Sequence, residues 1–191
     1  MTTKQKWAYI IGVALGDGNL SNSNGRAIRL RITCDARYPR LAREITDVLQ
    51  AVLPNNSVAI VRVPGKNTYF NISVYSNKLG NWIPWRVGKG TKEMQKVRVP
   101  RWIRSSKIFS WHCVRGLLQT DGSIYFDRGY QMINFTNNVK VLAKDVMQML
   151  IMLGFQPRLS TTANPSGTTK YTVRVARNPD ELIRKLKLFK A

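Results

Sequence analysis

The sequence has 191 residues and a formal net charge of +21, because 31 Lys and Arg residues outnumber 10 Asp and Glu residues. Its hydrophobic content of 43% is ordinary for a globular chain, and the length suffices for one domain or two small ones. So basic a chain favours a polyanionic partner, nucleic acid above all. An anionic membrane is the weaker alternative, because the basic residues do not line one amphipathic helix.

The cysteine and histidine content argues against a zinc site or a disulfide framework. Cys34 and Cys113 are interpreted as packing residues in a reducing compartment, and His112 as a helix-end or core histidine. Lys4–Lys6 precede an apolar run that faintly resembles a signal peptide, but the run recurs near Gly116 and is interpreted as structure. We therefore expect the protein in the cytoplasm or nucleoid of a prokaryote, or in an organelle matrix, and not secreted.

In chain order, hydrophobic periodicity divides the first half into a helix, two strands, a second helix, two more strands and a short helix. Turn-forming clusters rich in Ser, Asn, Pro and Gly separate these elements. The predicted helices are Trp7–Gly16, Pro39–Leu53 and about Asn77–Trp82, and the predicted strands are one before the turn cluster Ser21–Gly25 and then Arg26–Thr33, Ser57–Val63 and Thr68–Tyr75.

A Gly- and Lys-rich segment follows, and then the same order of elements is repeated. We interpret residues 1–86 and 101–191 as two related halves joined by a basic linker at 87–100. In the second half, the residues predicted to face the core from the first two strands are Ile124, Phe126, Ile133 and Phe135. The predicted helices are Trp111–Thr120, Val139–Leu153 and Asp180–Phe189, and the predicted strands are Ser123–Asp127, Tyr130–Thr136, Phe155–Thr162 and Lys170–Ala176, the last two around the loop Ala163–Gly167.

The first helix of each half ends in a related motif, Gly12–Gly18 and Gly116–Gly122, in which an Asp-Gly pair stands at the same spacing from an earlier Gly. Small residues one helical turn apart share a face and let a second backbone approach closely. We therefore predict that the two motif helices pack against each other. The residues predicted to line this interface are Gly12, Gly16, Gly116 and Thr120.

This packing would bring Asp17 and Asp121 together at the C-terminal ends of the two helices. The helix macrodipole is negative there and the carboxylates repel each other, so nothing structural favours the arrangement. A divalent cation such as Mg²⁺ removes both objections, because it prefers carboxylate, carbonyl and water oxygens. The carbonyls of Gly16 and Thr120 could supply further ligands. The alternative is a pair of ordinary helix-ending Asp-Gly turns, which the matched repeat makes the weaker interpretation.

Each half is predicted to form an antiparallel sheet with one apolar face under helices and one polar face. The fold class is α+β: two pseudosymmetric αββαββα units, each with a four-stranded saddle sheet, packed through the two motif helices. The polar faces carry groups that hydrogen-bond base edges and phosphates. The residues predicted to contact DNA are Arg29, Arg31, Arg62, Tyr69, Asn71, Ser73, Tyr125, Asn134, Arg158, Ser160, Thr172 and Arg174.

With this doubled motif and element order, the whole chain resembles the LAGLIDADG homing endonucleases in their single-chain, two-motif form. The resemblance implies a monomer, commonly intron-encoded, that places its strands in the major groove of a long double-stranded DNA site. It implies Mg²⁺-dependent (or Mn²⁺-dependent) hydrolysis of both strands, leaving 3′ overhangs. It also implies that Asp17 and Asp121 are the catalytic acids, sharing two or three metal ions with the carbonyls of Gly16 and Thr120.

The sequence departs from the family pattern beside each acid. Cys34-Asp35 and Asn137-Asn138 stand where Lys or Gln is common in the family. In the family, that Lys or Gln polarises the attacking water. Here the candidates for this role are Lys92 and Lys96 of the linker.

Three other functions would fit the charge. An intron RNA maturase on the same fold remains open, because the intact acids do not exclude RNA binding. A non-cleaving DNA-binding protein would be expected to have lost Asp17 or Asp121, and both are present. A ribosomal-type RNA binder would leave the duplicated motif unexplained.

Overall fold

Two four-stranded antiparallel sheets, each with helices on one face, make up the α+β fold in a computed structural model that describes residues 1–22, 25–163 and 167–188. The first half comprises α1 (Thr3–Asp17), β1 (Gly18–Ser21), β2 (Arg29–Asp35), α2 (Pro39–Val52), β3 (Val58–Val63), β4 (Lys66–Tyr75) and α3 (Leu79–Trp82). The second comprises α4 (Arg101–Arg104), α5 (Lys107–Thr120), β5 (Gly122–Asp127), β6 (Tyr130–Asn137), α6 (Lys140–Met152), β7 (Arg158–Ala163), β8 (Thr169–Val175) and α7 (Pro179–Leu186).

The predicted order of elements and the α+β class are confirmed, with bounds that shift by a few residues. The prediction missed α4, a single turn that begins directly after Pro100 and is too short to show a hydrophobic period. Residues 23–24 and 164–166 of the predicted turn clusters, and Phe189 at the predicted end of the last helix, lie outside the described residues.

The two sheets repeat one topology. The strand order is β1-β2-β4-β3 in the first sheet and β5-β6-β8-β7 in the second, with every pair antiparallel. Each sheet begins at the Gly that follows a motif acid: Gly18 pairs with Ile32, and Gly122 pairs with Phe135. Both acids therefore stand at the junction between a motif helix and the first strand of a sheet.

The core lies between the helices and the apolar sheet faces. Leu30, Ile32, Ile72 and Val74 are fully buried in the first half. Phe126 was predicted to face the core, and this was wrong, because its side chain is 70% exposed. It pairs with Gln131 near the tip of the β5–β6 hairpin, whereas Ile133 and Phe135 lie further down β6 and are buried as predicted. Strand alternation identifies a side of the sheet but not how far the helices cover it.

The segment between α3 and α4 is anchored along part of its length. Val97 and Val99 are each only 2% exposed. Between them, Arg98 forms a salt bridge of 2.7 Å with Asp145 of α6, whose carboxylate is fully buried and also accepts the Val99 backbone N–H. A purely solvated loop would have neither feature. In the three described ranges, no helix has the length and apolar character needed to cross a membrane.

Candidate active site

Helices α1 and α5 pack backbone to backbone because glycines leave no side chain between them. A Cβ atom on Gly12 would stand 2.2 Å from the Cys113 carbonyl oxygen, and one on Gly116 would stand 2.5 Å from the Tyr9 carbonyl oxygen. At Gly16 the obstacle would be the Thr120 hydroxyl, 2.0 Å away. Thr120 in turn donates this hydroxyl to the carbonyls of its own helix, one of them that of Gly116. The four residues predicted for the interface thus lie in it.

The close approach brings the ends of both helices together. Asp17 is the last residue of α1 and Asp121 is the C-cap of α5. The Asp121 carboxyl carbon lies 3.4 Å from the position that a Gly16 Cβ would take, one residue before Asp17. Asp17 is exposed and Asp121 is half-buried, so the carboxylates are open to a ligand from solvent.

The Asp121 carboxylate is held by a side-chain amide. Asn137, the last residue of β6, donates its Nδ2 to Asp121 Oδ2 at 2.7 Å. The amide orientation is determined, because Asn137 Oδ1 accepts the Val139 backbone N–H at 2.9 Å. Sequence reasoning noted this position only as a departure from the family pattern. The sequence feature that could have identified Asn137 is an amide side chain directly after the second strand of the half.

The first half has a different residue at the equivalent position. Ile32 and Phe135 both pair with the Gly after the acid, so Cys34 occupies the place of Asn137 two residues later. Cys34 is buried, and the next residue, Asp35, forms a salt bridge with Arg37. The two acids therefore have different surroundings despite the repeated topology.

Lys92 reaches the same point from the segment between the halves. Its ammonium donates to the carbonyl oxygens of Ala14, Leu15 and Gly16 at 2.8, 2.8 and 2.6 Å. Burial lowers the pKa of Lys92 to about 8, although the carboxylates of Asp121 and Asp17 act in the opposite direction. Lys96, the other linker lysine predicted for the site, is exposed.

The donor set fits a hard divalent cation. Within residues 1–22, 25–163 and 167–188, no group of three or more Asp, Glu, His or Cys side chains could hold a metal. Two carboxylates with backbone carbonyls and water leave room for phosphate oxygens, which suits Mg²⁺ or Mn²⁺ better than zinc. The Gly16 carbonyl, predicted as a ligand, accepts a hydrogen bond from Lys92 instead. A metal at this oxygen would have to share it with the ammonium or displace the ammonium.

The polar face of the first sheet follows from the strand register. Arg29, Arg31 and Thr33 on β2 stand opposite Tyr75, Ser73 and Asn71 on β4, and Tyr69 stands opposite Asp35. Of the predicted DNA-contacting residues here, Arg31 is exposed and Arg29 and Tyr69 are half-buried. Thr33 and Tyr75 share this face and were not among the residues predicted to contact DNA.

Three of the predicted contacts in this sheet are placed otherwise. Arg62 pairs with Phe70, so it lies on the helix-covered side, next to a register shift between Arg62 and Val63. Asn71 and Ser73 are on the predicted face but are buried, and they accept hydrogen bonds from Thr33 and Arg29. They support neighbouring side chains and are not themselves exposed.

The second sheet carries all its predicted contacts on one face. Asn134 pairs with Arg174, and Arg174 pairs with Arg158, while Thr172 stands opposite Ser160 and Thr136. Asn134 donates to the Tyr125 hydroxyl and accepts from Arg174, so these polar groups form a connected network. Lys170 shares this face with them and was not predicted. The members predicted from sequence are Tyr125, Asn134, Arg158, Ser160, Thr172 and Arg174.

Comparisons with known proteins agree with this architecture. The model of a family described as a LAGLIDADG-like domain matches residues 112–187. The structure of I-DmoI in complex with DNA and Mn is similar, with a TM-score of 0.70 and 19% sequence identity over 97% of each chain. The complex of I-DmoI with DNA and Ca gives a TM-score of 0.66 at 19% identity, covering 96% of this chain and 88% of that one.

A similar fold also occurs in DUF199/WhiA. The N-terminal LAGLIDADG domain of DUF199/WhiA gives a TM-score of 0.62 at 9% identity, covering 98% of this chain and 85% of that one. No curated protein sequence matches the chain significantly. Residues 112–187 therefore match a LAGLIDADG-like domain, and the chain as a whole has the fold of these structures.

Proposed function

We propose that the protein is a site-specific DNA endonuclease that hydrolyses both strands of a long double-stranded target with the help of Mg²⁺. The observation that carries the proposal is the pair of acids at the tips of two helices in backbone contact, each at the start of a sheet with a polar face. Structures of the homing endonuclease I-DmoI, which share this fold, were determined with DNA and Mn or Ca.

In this proposal the two sheets bind the DNA and set its register. Exposed Arg31, Arg158 and Arg174 are placed to reach phosphates or guanine edges, for which a guanidinium is suited. The net charge of +21 favours association with any duplex, and binding should weaken steeply with salt as counterions are released. The monomer suffices, because one chain supplies both acids.

At the centre, Asp17 and Asp121 would hold the metal, and Asn137 keeps the Asp121 carboxylate in one orientation. The bound metal would supply an activated water and charge stabilisation for the leaving 3′ oxygen. Two or three ions shared between the acids are expected from the family resemblance alone.

The test is to select binding sites from a random DNA library in Ca²⁺ and then to offer the selected plasmid with Mg²⁺. The proposal predicts a linear product with 3′ overhangs at one position, and no product in EDTA. A protein that retains the plasmid in a mobility-shift assay but leaves it intact over a range of Mg²⁺ and Mn²⁺ concentrations is not an endonuclease.

A second function deserves the same assay. A protein that binds DNA or intron RNA without cutting is favoured by one observation, the buried Cys34 where the other half has Asn137. Selection from an RNA library alongside the DNA library shows which nucleic acid the protein prefers, and the cleavage assay shows whether it cuts DNA. Preferential retention of RNA, with no cleavage of DNA, would support the RNA-binding alternative.

A further inference from the structure

Lys92 uses its whole hydrogen-bonding capacity on the end of one helix. An ammonium has three N–H donors. Those of Lys92 lie within hydrogen-bond distance of the carbonyl oxygens of Ala14, Leu15 and Gly16. These are carbonyls of the last turn of α1, which ends at Asp17, and that of Ala14 also accepts the Gly18 backbone N–H. Lys92 therefore closes the C-terminal end of α1, and a water molecule could take one of its donors only in exchange for a carbonyl.

The ammonium is also surrounded by the charges that the site brings together. It bonds Gly16, whose Cβ position would lie 3.4 Å from the Asp121 carboxyl carbon, and both Asp121 and Asp17 act on it electrostatically. The Trp85 ring faces it, with the ring centroid 4.9 Å from Nζ. Its three carbonyl acceptors favour the charged ammonium, which has three N–H donors.

The backbone that carries Lys92 is held on both sides. Trp85, on the N-terminal side, is 8% exposed, and Val97, on the C-terminal side, is 2% exposed. The Lys92 carbonyl accepts the Val97 backbone N–H at 3.1 Å. The Asp145–Arg98 salt bridge fixes the chain one residue further on. Lys92 is thus delivered to the acids by an ordered segment and not by a free loop.

We propose that Lys92 is a built-in counter-ion of the two motif acids, which caps α1 and holds both helix tips together before DNA and metal arrive. Two carboxylates at the negative ends of two helix dipoles repel each other, and a fixed cation among them offsets that repulsion. Lys92 is then a positioning residue, and polarising a water is not its role. The proposal rests on the proposed function only in taking Asp17 and Asp121 as the working acids.

The first test is a thermal-unfolding cycle in EDTA, which needs no nuclease activity. Lys92→Met is compared in the wild-type background and in Asp17→Asn/Asp121→Asn. We expect Lys92→Met to be the more destabilising in the wild type, by about 3 °C or more in the melting temperature, because only there does it remove a charge attraction. Lys89→Met, at an exposed lysine of the same segment, is the matched control. It should not lower the melting temperature in either background.

Equal losses in the two backgrounds would overturn the proposal, since Lys92 would then act without reference to the acids. Folding of Lys92→Met only in the Asn background supports the proposal, and failure to fold in both contradicts it. Lys92→Arg retains a charge and N–H donors and should recover most of the loss in the wild type.

The second test uses Ca²⁺ alone as the probe. Without the ammonium the two carboxylates lose their internal cation and Gly16 regains a free carbonyl, so Ca²⁺ should raise the melting temperature of Lys92→Met more than that of the wild type. The Asp17→Asn/Asp121→Asn variant should show no Ca²⁺ stabilisation. An equal or smaller effect of Ca²⁺ on Lys92→Met would contradict the counter-ion role, whether or not the protein cleaves DNA.

Discussion

Asp121 has a fixed orientation because a neighbouring amide has only one way to satisfy its own hydrogen bonds. Asn137 donates to the carboxylate with one end of its amide, while the Val139 backbone N–H holds the other end. Cys34, at the matching place in the first half, carries a thiol, which is a weaker donor than an amide. At the residue scale, the repeated chain is therefore asymmetric where the chemistry is proposed.

Removal of this amide should affect one strand of the DNA more than the other. Asn137→Ala takes away a hydrogen bond to a charged group, a loss of about 1.5–3 kcal/mol, or roughly tenfold or more in the rate that depends on Asp121. Cleavage of supercoiled plasmid should then accumulate the nicked circle before the linear form. Asn138→Ala, at the exposed neighbour, is the control. A proportional slowing of both cuts would mean that Asn137 does not act through Asp121.

At the scale of elements, the sequence predicted which helices meet but not every side of every strand. The motif glycines at one-turn spacing identified the α1–α5 contact, because only a small residue permits it. Arg62 was misplaced because alternation was unclear along β3 and the pairing shifts beside it. Asn71 and Ser73 lie on the predicted face of the sheet, yet both are buried. The local sequence pattern does not reveal this burial, because their contacts with Thr33 and Arg29 come from the adjacent strand.

The helix contact should tolerate no side chain at its centre. Gly12→Ala would place a Cβ atom 2.2 Å from the Cys113 carbonyl oxygen, so one backbone must move, and we expect a loss of about 3 kcal/mol or more in the free energy of unfolding. Gly80→Ala is the matched control, because its Cβ would meet only the end of the Ile28 side chain at 3.2 Å. Urea denaturation of both variants decides the point, and similar stabilities would argue against a close-packed interface.

At the scale of the whole molecule, Glu44 of α2 and Asp145 of α6 occupy matching positions but form different salt bridges. Five buried positions of α2 coincide with buried positions of α6 when Glu44 is matched to Asp145. Glu44 forms a salt bridge of 2.7 Å with Arg115 of the other half, while Asp145 binds Arg98. Hydrophobic pattern predicted the two halves and their helices. These charge pairs were not predictable, because their partners are distant in sequence.

The Glu44–Arg115 pair should contribute to the stability of the whole chain. Both side chains are largely shielded, with 19% and 14% exposure, so Glu44→Gln would leave a guanidinium without its counter-ion and cost about 2 kcal/mol of unfolding free energy. Glu181→Gln breaks an exposed pair with Lys185 and should cost much less, because solvent screens the two charges. Chemical denaturation at low salt measures both. Equal effects would show that burial does not strengthen the pair between the halves.

The central claim is that the two motif acids work together on DNA, and neutralising each acid in turn tests it most directly. With a plasmid carrying the selected target and Mg²⁺, Asp17→Asn and Asp121→Asn should each abolish double-strand cleavage while mobility shifts in Ca²⁺ or EDTA show the target still bound. Asp47→Asn, at an exposed acid of α2, should cleave as the wild type does. Undiminished linear product from the double variant Asp17→Asn/Asp121→Asn would contradict the account.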